Sequence, residues 1–310
     1  MKFGSFMLSL IGVLSIALAA PQPVAQSATR PSYPVSYNFA LDVLSNGQRA
    51  SAPGANQWKC KPSKAHPRPV VLVHGTGGNA ATNWGTYSAL LANRGYCVFA
   101  LTYGVVPETT KPVALGGMDR IEVSARQLAA FVTKVRRATR AAKVDLVGHS
   151  QGTLMPNYYV RFLGGSKFVK RYVSLAPLWH GVGGDNATLR TPLAVFGDGS
   201  MPVCKACNQM VAGSAFMTKM RSGRLAHPDV TYTNVVTKYD EVVVPYTSGI
   251  QTGYRNMRNI VLQDRCANDF SDHLQIAASA NGAQLVLNAL DPAHARAITC
   301  RPTLPVGTLG

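Results

Sequence analysis

Short apolar runs alternate with amphipathic stretches along most of the chain. Six runs are rich in β-branched residues without strict alternation, which is typical of strands buried on both faces of a sheet. Three stretches between them have helical spacing and length. This alternation predicts an α/β fold with a mostly parallel sheet of about six strands and helices on both faces. The predicted strands are residues 70–75, 97–104, 144–150, 169–177, 230–240 and 259–264, and the predicted helices are residues 84–94, 123–142 and 153–163.

The alternation is interrupted between about residues 178 and 228. This part carries glycine-rich turns, the pair Cys204 and Cys207, and a group of methionines, Met201, Met210, Met217 and Met220. We predict one catalytic domain over residues 28–310 with a cap-like insertion there. Flexible thioether side chains suit an irregular apolar pocket or a lid, and ordinary core packing under a disulfide-tied cap explains them equally well. Residues 21 to about 66 are expected to be a leader and the approach to the first strand.

The N-terminus has the pattern of a secretory signal peptide. Lys2 precedes an apolar run over residues 6–20, and Ala17 and Ala19 form an Ala-x-Ala site. The run is shorter than the roughly 20 residues that a membrane-spanning helix needs. We therefore predict that residues 1–27 are a signal peptide and that the protein is secreted.

Six cysteines follow, and an even number in a secreted chain predicts three disulfides. Six cysteines allow 15 connectivities, so spacing alone leaves the pairing open. Cys204 and Cys207 form a CxxC, but a zinc site would need about four ligands. No second CxxC or nearby pair of histidines supplies them, and a local structural disulfide is the better interpretation. The cysteines are Cys60, Cys97, Cys204, Cys207, Cys266 and Cys300.

The charge balance is strongly basic, with 31 Lys and Arg against 14 Asp and Glu and a net charge of +17. Nucleic acid, anionic lipid and cell-envelope surfaces are therefore candidate partners. One cluster, between Lys134 and Lys143, belongs to a predicted helix whose other face is apolar, and a solvated helix face accounts for it. Because no nucleic-acid motif or interleaved aromatic residue accompanies the charge, we expect no nucleic-acid partner.

The pentapeptide Gly148-His149-Ser150-Gln151-Gly152 matches G-x-S-x-G. The motif alone has weak specificity, but here a predicted strand precedes it and a predicted helix follows, as its chemistry requires. Such a turn lifts the Ser150 hydroxyl above the carboxyl edge of the sheet. It also brings the N–H of Gln151 to the positive end of a helix, where it can bind a developing oxyanion. We predict Ser150 as a nucleophile and Gln151 as an oxyanion donor.

A serine nucleophile needs a histidine base and an orienting acid, which follow in the order Ser, acid, His in proteins with this motif. His273 lies shortly after the last predicted strand and is preferred to His294 near the C-terminus. Asp240 closes the fifth predicted strand, whereas the rival Asp198 lies inside the insertion. The second oxyanion donor is expected after the first strand, in His74-Gly75-Thr76-Gly77-Gly78, with Thr76 supplying its N–H and hydroxyl.

Three segments in combination, HGTGGNAATNW, GHSQG and YDEVVVP with the later DH, resemble the secreted class 2 bacterial triacylglycerol lipases. They are more distantly similar to lipase B of Candida antarctica. The similarity runs from about Cys60 to Cys300. It implies an α/β-hydrolase fold, no cofactor, and hydrolysis of carboxylic esters, so we expect a lipid or another ester as the substrate. From the residues themselves we expect no metal. Carried over motif by motif, it implies Ser150, Asp240 and His273 as the triad and Thr76 and Gln151 as oxyanion donors. It also implies the pairs Cys60–Cys97, Cys266–Cys300 and Cys204–Cys207.

Other functions fit the same residues. A short-chain carboxylesterase, a polyester hydrolase or an envelope acyltransferase would use the same triad. A cell-surface binding module with the same fold would be expected to have lost part of the triad. For a secreted hydrolase, the charge of +17 favours adsorption to anionic lipid or envelope surfaces, and we expect a monomer.

Overall fold

Six strands form one sheet in which every neighbouring pair is parallel. The computed structural model describes residues 1, 32–183, 203–306 and 308. The strand order is β2-β1-β3-β4-β5-β6. Each predicted run overlaps one strand, although β6 begins two residues before its run, and the predicted α/β fold is confirmed. The strands are β1 (Val70–Val73), β2 (Val98–Leu101), β3 (Val144–His149), β4 (Val169–Leu175), β5 (Thr231–Val236) and β6 (Met257–Val261).

Seven α-helices lie among the described residues, and three of them, α2 to α4, are the helices predicted from the sequence. Helix α3 ends at Thr139, earlier than predicted, because Arg140 takes a left-handed conformation with φ of 59°. Helix α4 starts at Gln151, directly after Ser150. The helices are α1 (Phe39–Asn46), α2 (Gly85–Asn93), α3 (Ile121–Thr139), α4 (Gln151–Phe162), α5 (Lys205–Met210), α6 (Ala215–Arg221) and α7 (Ala280–Leu290).

Both faces of the sheet are covered by apolar cores. Val71 and Val73 point into the core that contains the apolar residues of α3 and α4. Val70 and Leu72 point into the core formed with α2 and α7. Successive side chains of a strand point to opposite faces, so a strand buried on both sides must be apolar throughout. This explains why the central strands have no polar alternation.

Helix α1 was not predicted, because the sequence was expected to be an irregular leader here. The side chain of Asn38 caps its start by accepting from the N–H of Leu41. Asp42 is buried and accepts hydrogen bonds from the N–H of Thr86 (2.7 Å) and the hydroxyl of Ser36 (2.5 Å). These contacts join α1 to the start of α2.

The insertion forms α5 and α6 in its described part. Met217 and Met220 are buried in the core beside α4, and Met210 is buried at the wall of a cavity described below. Met201 lies outside the described residues. Core packing therefore accounts for all three described methionines, and Met210 also lines the cavity.

Three disulfides are present, Cys60–Cys97, Cys204–Cys207 and Cys266–Cys300. The first joins the segment before β1 to the start of β2. The described residues from 32 onward belong to one compact unit. None of the described helices has the length and hydropathy required to cross a membrane. The predicted signal peptide, apart from Met1, lies outside the described residues.

Candidate active site

Ser150 occupies a sharp turn between β3 and α4. Its φ of 54° and ψ of −124° lie in a region that side-chain-bearing residues rarely adopt, and such strain is concentrated at functional sites. Gly148 and Gly152 must be glycine because other parts of the backbone lie too close to them for a side chain. A Cβ on Gly148 would lie 1.9 Å from the carbonyl oxygen of Gly152, and a Cβ on Gly152 would lie 1.9 Å from that of Val73. The turn thus exposes the Ser150 hydroxyl at the carboxyl edge of the sheet.

Three side chains predicted from the sequence meet at this edge. His273 Nε2 lies 2.8 Å from Ser150 Oγ. Its other ring nitrogen, Nδ1, lies 2.9 Å from each carboxylate oxygen of Asp240. Asp240 and His273 are buried, whereas Ser150 is partly exposed. The order Ser, imidazole and carboxylate is the arrangement that can activate a serine hydroxyl.

The loop after β5 holds Asp240 in place. The strand ends at Val236, four residues before Asp240 and earlier than predicted, so the carboxylate belongs to a loop. Asp240 Oδ1 accepts hydrogen bonds from the N–H groups of Val242 (3.0 Å) and Val243 (2.7 Å). These two bonds to Oδ1 fix the orientation of the carboxylate toward His273.

Gln263 connects the loop of the acid to the loop of the histidine. Its amide nitrogen donates to the hydroxyl of Thr237 (2.8 Å) and to the carbonyl of Asp269 (2.9 Å). Thr237 in turn donates to the carbonyl of Ser271, at 2.5 Å. Sequence reasoning missed Gln263, because nothing in its local sequence indicates which two loops it will join.

The electrostatic surroundings of His273 favour its charged form. Burial by itself lowers the pKa of His273, but the negative charge of Asp240 and the hydrogen bond to it outweigh this effect. Glu241 and Asp272 also raise the pKa, and the net result lies above the ordinary value of 6.5. Glu241 additionally accepts a hydrogen bond from the N–H of His273, at 3.0 Å. An imidazolium formed during a reaction would be stabilised here.

The two predicted oxyanion residues lie together beside Ser150. The hydroxyl of Thr76 donates to Gln151 Oε1 at 3.3 Å. The N–H of Gln151 belongs to the first turn of α4, where backbone N–H groups lack partners within the helix. An anion bound beside Ser150 would therefore lie at the N-terminus of α4. Thr76 lies on the adjoining loop.

Two residues that sequence reasoning did not assign to the site shape the loop of Thr76. The N–H of Gly75 donates to Asn83 Oδ1 at 2.9 Å. His74 stacks on Tyr103, with ring centroids 4.2 Å apart, and its Nδ1 donates to the carbonyl of Gly75 at 2.7 Å. Burial lowers the pKa of His74 to about 4, so its ring is neutral and can act as a donor at one nitrogen only.

An apolar cavity of about 750 Å³ opens over Ser150 and His273. Its walls come from several parts of the chain: Val43 and Leu44 of α1, Leu115, Leu178, Val182, and Met210 of α5. Leu44 is 79% exposed, and Leu115 and Leu274 at the cavity are also exposed. A large apolar cleft with a few polar groups is the usual form of a site for an apolar ligand.

The rival residues have other surroundings. His294 is exposed and pairs with Asp291, at 2.9 Å. Asp198 lies outside the described residues.

Comparisons with known proteins agree with this architecture. Triacylglycerol lipases of Pseudarthrobacter phenanthrenivorans and Burkholderia plantarii are each 34% identical over 95 residues. That region is 29% of this chain but 27% and 24% of those proteins, so the chain spans about a quarter of the length of these relatives.

Two solved structures share the fold. Aspergillus fumigatus lipase B matches 89% of this chain and 63% of its own, with 18% identity and a TM-score of 0.59. Mature lipase BlEst2 of Bacillus licheniformis matches 74% of this chain and 94% of its own, with 16% identity and a TM-score of 0.54. The α/β-hydrolase fold expected from the resemblance is therefore confirmed.

The family model for lipase (class 2) matches residues 67–286, which is more than half of the chain and includes Thr76, Ser150, Asp240 and His273. The resemblance seen in the sequence motifs is thereby confirmed. This protein belongs to the class 2 lipase family.

Proposed function

We propose that this chain is a secreted triacylglycerol lipase that cleaves carboxylic esters through an acyl-enzyme intermediate. The observation that carries the proposal is the continuous set of hydrogen bonds from Asp240 through His273 to Ser150, at the base of the apolar cavity. Membership of the class 2 lipase family supports ester hydrolysis as the reaction class. The active serine, acid and base in this proposal are Ser150, Asp240 and His273.

The reaction would begin when Ser150 Oγ attacks the ester carbonyl while His273 Nε2 accepts the hydroxyl proton. The 2.8 Å separation of these atoms is within hydrogen-bonding reach, as proton transfer requires. His273 then returns the proton to the leaving alcohol, and the acyl group remains on Ser150. Water, deprotonated by the same imidazole, hydrolyses the acyl-enzyme.

Asp240 would hold the proton of His273 on Nδ1, so that the lone pair of Nε2 faces Ser150. Its negative charge would also stabilise the imidazolium formed in each step. The two backbone hydrogen bonds from Val242 and Val243 keep the carboxylate oriented without protonating it.

The tetrahedral oxyanion would be bound by the N–H groups of Gln151 and Thr76, with the Thr76 hydroxyl as a further donor. Stabilisation of this charge is usually a large part of catalysis, and losing one donor reduces kcat by about 10²–10³. The close packing of the Gly75 loop against Asn83 and His74 supports a preorganised position for Thr76.

The cavity supports a lipid substrate. Its apolar walls and volume of about 750 Å³ suit an acyl chain better than a small polar ester. Met210 and Leu178 are deep apolar contacts, and Leu44 and Leu115 form an exposed apolar rim.

Export is supported by the three disulfides, since such bonds persist in oxidising compartments. The signal-peptide pattern of residues 1–27 agrees with export. We propose further that residues 28–310 act as a single catalytic domain and that the protein functions as a monomer.

The test is labelling of the folded protein with a fluorophosphonate probe, together with turnover of two substrates. Wild type should be labelled, Ser150→Ala should not, and triolein emulsion should be hydrolysed. Turnover confined to dissolved butyrate esters would assign the protein to short-chain carboxylesterases. Absence of labelling in folded wild type would contradict the hydrolase proposal and favour a binding module.

A further inference from the structure

The parallel sheet divides the surface of this protein into two opposite edges. All six strands run in one direction, so their carboxyl ends meet at the edge that holds Ser150, Asp240 and His273. The segments that lead into the strands meet at the other edge. We call these segments the basal edge: residues 59–69, 94–97, 136–143, 164–171, 227–230 and 255–258.

The basal edge carries exposed cations on five of its six segments. Lys64 precedes β1, Arg94 precedes β2, Arg137 and Arg140 precede β3, Lys167 precedes β4 and Arg255 precedes β6, and all are exposed. None of these six takes part in an ion pair with another described residue. Their charge therefore faces solvent without a local counter-charge.

Direct contacts join four of the six segments of the basal edge, those before β1, β2, β3 and β4. Lys61 Nζ donates to the carbonyl of Ala138 at 2.6 Å, and Lys143 Nζ donates to that of Ser166 at 3.5 Å. The ring of His66 stacks on Tyr96 with centroids 3.8 Å apart. The cations before β1 to β4 thus belong to one connected surface.

Few carboxylates offset this charge, and one of them, Asp291 near Tyr96, pairs with His294. Asp145 is buried at the start of β3, where Arg68 and Arg171 already bind it, at 2.8 and 3.7 Å. Asp229 is exposed on the segment before β5, the one segment without an exposed cation. At the opposite edge, Glu241 and Asp272 lie close enough to His273 to raise its pKa.

We propose that the basal edge is a docking surface for an anionic phospholipid bilayer, on which the enzyme sits with its active-site cavity facing away. Cations spread over several loops suit a charged lipid surface, which needs no specific groove. Nearby aromatic faces are already covered, Trp58 by Lys134 (4.1 Å) and Phe168 by Arg136 (4.0 Å). They are not open for the base stacking that single-stranded nucleic acid uses.

This orientation gives the charge of +17 a role separate from substrate binding. Docking itself does not need ester hydrolysis. Its consequence for the choice of substrate, however, rests on the proposed function. A docked enzyme would act on esters that reach the cavity from solution or from another particle. It would not act on the lipids of the anionic surface beneath it.

The test is co-sedimentation of the full chain with phosphatidylcholine vesicles containing about 30% phosphatidylglycerol, at about 20 mM and about 500 mM NaCl. Wild type should bind the anionic vesicles at low salt and dissociate from them at high salt. It should not bind vesicles of pure phosphatidylcholine. The variant Lys64→Glu, Arg137→Glu, Lys167→Glu should lose at least about 100-fold in partition coefficient, because each basic side chain near such a surface contributes about fivefold and each glutamate adds repulsion.

The matched control makes the same change of charge at the opposite edge. Arg49→Glu, Lys111→Glu, Arg265→Glu replaces three exposed cations that follow α1, β2 and β6. It should lose less than about fivefold in partition coefficient, since these side chains face away from the bilayer. Equal losses in the two variants would overturn the basal edge as the docking surface, and so would absence of wild-type binding.

Two further readouts separate the alternatives. Bound wild type should hydrolyse a dissolved butyrate ester with unchanged kcat/KM, and a loss above about tenfold would contradict the outward-facing cavity. Binding that persists at high salt would indicate apolar insertion and contradict charge-based docking. Tighter binding to a single-stranded oligonucleotide than to the vesicles would assign the surface to nucleic acid. If no variant hydrolyses esters while co-sedimentation behaves as expected, the proposed function fails and the docking surface stands.

Discussion

The ring of His149 is hydrogen-bonded to the main chain of His273. His149 Nε2 lies 2.7 Å from the carbonyl oxygen of His273, and a carbonyl oxygen only accepts, so the imidazole is the donor. Burial and the neighbouring His273 together lower the pKa of His149 to about 3, so the ring is neutral at pH 7. The residue next to Ser150 thus holds the loop of the proposed base.

Replacing His149 should therefore reduce turnover through misplacement of His273. His149→Phe keeps a buried ring but leaves the His273 carbonyl without its donor. We expect kcat on a soluble ester to fall about 10- to 100-fold, because small displacements of catalytic groups are costly. KM should change little, and the free energy of unfolding should fall by about 1–3 kcal/mol.

His149→Gln separates positioning from packing, because its amide can donate to the same carbonyl and should restore part of kcat. His294→Phe, at an exposed histidine, is the control and should behave as wild type. If His149→Phe lowered stability but kept kcat within about twofold, the residue would be a packing residue only.

Asp240→Asn should abolish most turnover while leaving the protein folded. The amide cannot stabilise the imidazolium and favours the wrong tautomer of His273, so kcat should fall by about 10⁴. Steady-state kinetics on a dissolved ester measures the effect, with Asp264→Asn as the control at an exposed aspartate. Should Asp198→Asn inactivate the enzyme while Asp240→Asn stays within tenfold, Asp198 would be the orienting acid.

The acid limb of the pH profile should lie above the ordinary histidine pKa. His273 must be neutral to act as a base, and its pKa is raised, so kcat/KM should rise with pH through a value above 6.5. Glu241→Gln removes one of the charges that raise this pKa and should shift the limb toward lower pH. Glu108→Gln, an exposed residue after β2, should leave it unchanged. A limb that shifts upward in Glu241→Gln would contradict this electrostatic role.

Leu44 and Leu41 provide a matched pair on one helix. Both are exposed leucines of α1, but only Leu44 contributes to the wall of the described cavity. Leu44→Gln should lower turnover of triolein emulsion about tenfold while dissolved butyrate ester is hydrolysed normally, since the short chain does not reach the rim. Leu41→Gln should leave both rates near wild type. Equal effects of the two substitutions would mean that α1 does not contact the acyl chain.

The disulfides Cys60–Cys97 and Cys204–Cys207 close loops of very different length and should stabilise the fold unequally. Cys60–Cys97 joins residues 37 apart, and Cys204–Cys207 joins residues 3 apart. From loop-closure entropy, the Cys60→Ala, Cys97→Ala double variant should lose about 4 kcal/mol and the Cys204→Ala, Cys207→Ala variant about 2 kcal/mol. Urea unfolding monitored by circular dichroism gives both values. A larger loss for the short link would show that its local contacts, not chain entropy, dominate.

The architecture was accessible from the sequence because it rests on local patterns. Strands buried on both faces are apolar throughout, and this made β1 to β6 visible as short runs. Ser150 was predicted as the nucleophile because its motif joins a strand to a helix, a context that the neighbouring residues themselves define. The order of Asp240 and His273 along the chain then followed from the motif.

Helix α1 and the contacts of Gln263 and His149 were not accessible in this way. The eight residues of α1 are stabilised by packing against α2 and by Asp42, which binds Thr86 far along the chain. Gln263 and His149 act on loops that lie close to them only after the sheet has formed.

The sequence by itself thus determined the sheet, the turn of Ser150 and the chemical type of each site residue, because these depend on neighbours in the chain. Tertiary structure alone decided the distances among Ser150, His273 and Asp240, the apolar cavity above them, and the gathering of cations at the basal edge. Each of these depends on residues more than 30 positions apart, brought together by parallel strands that all point the same way.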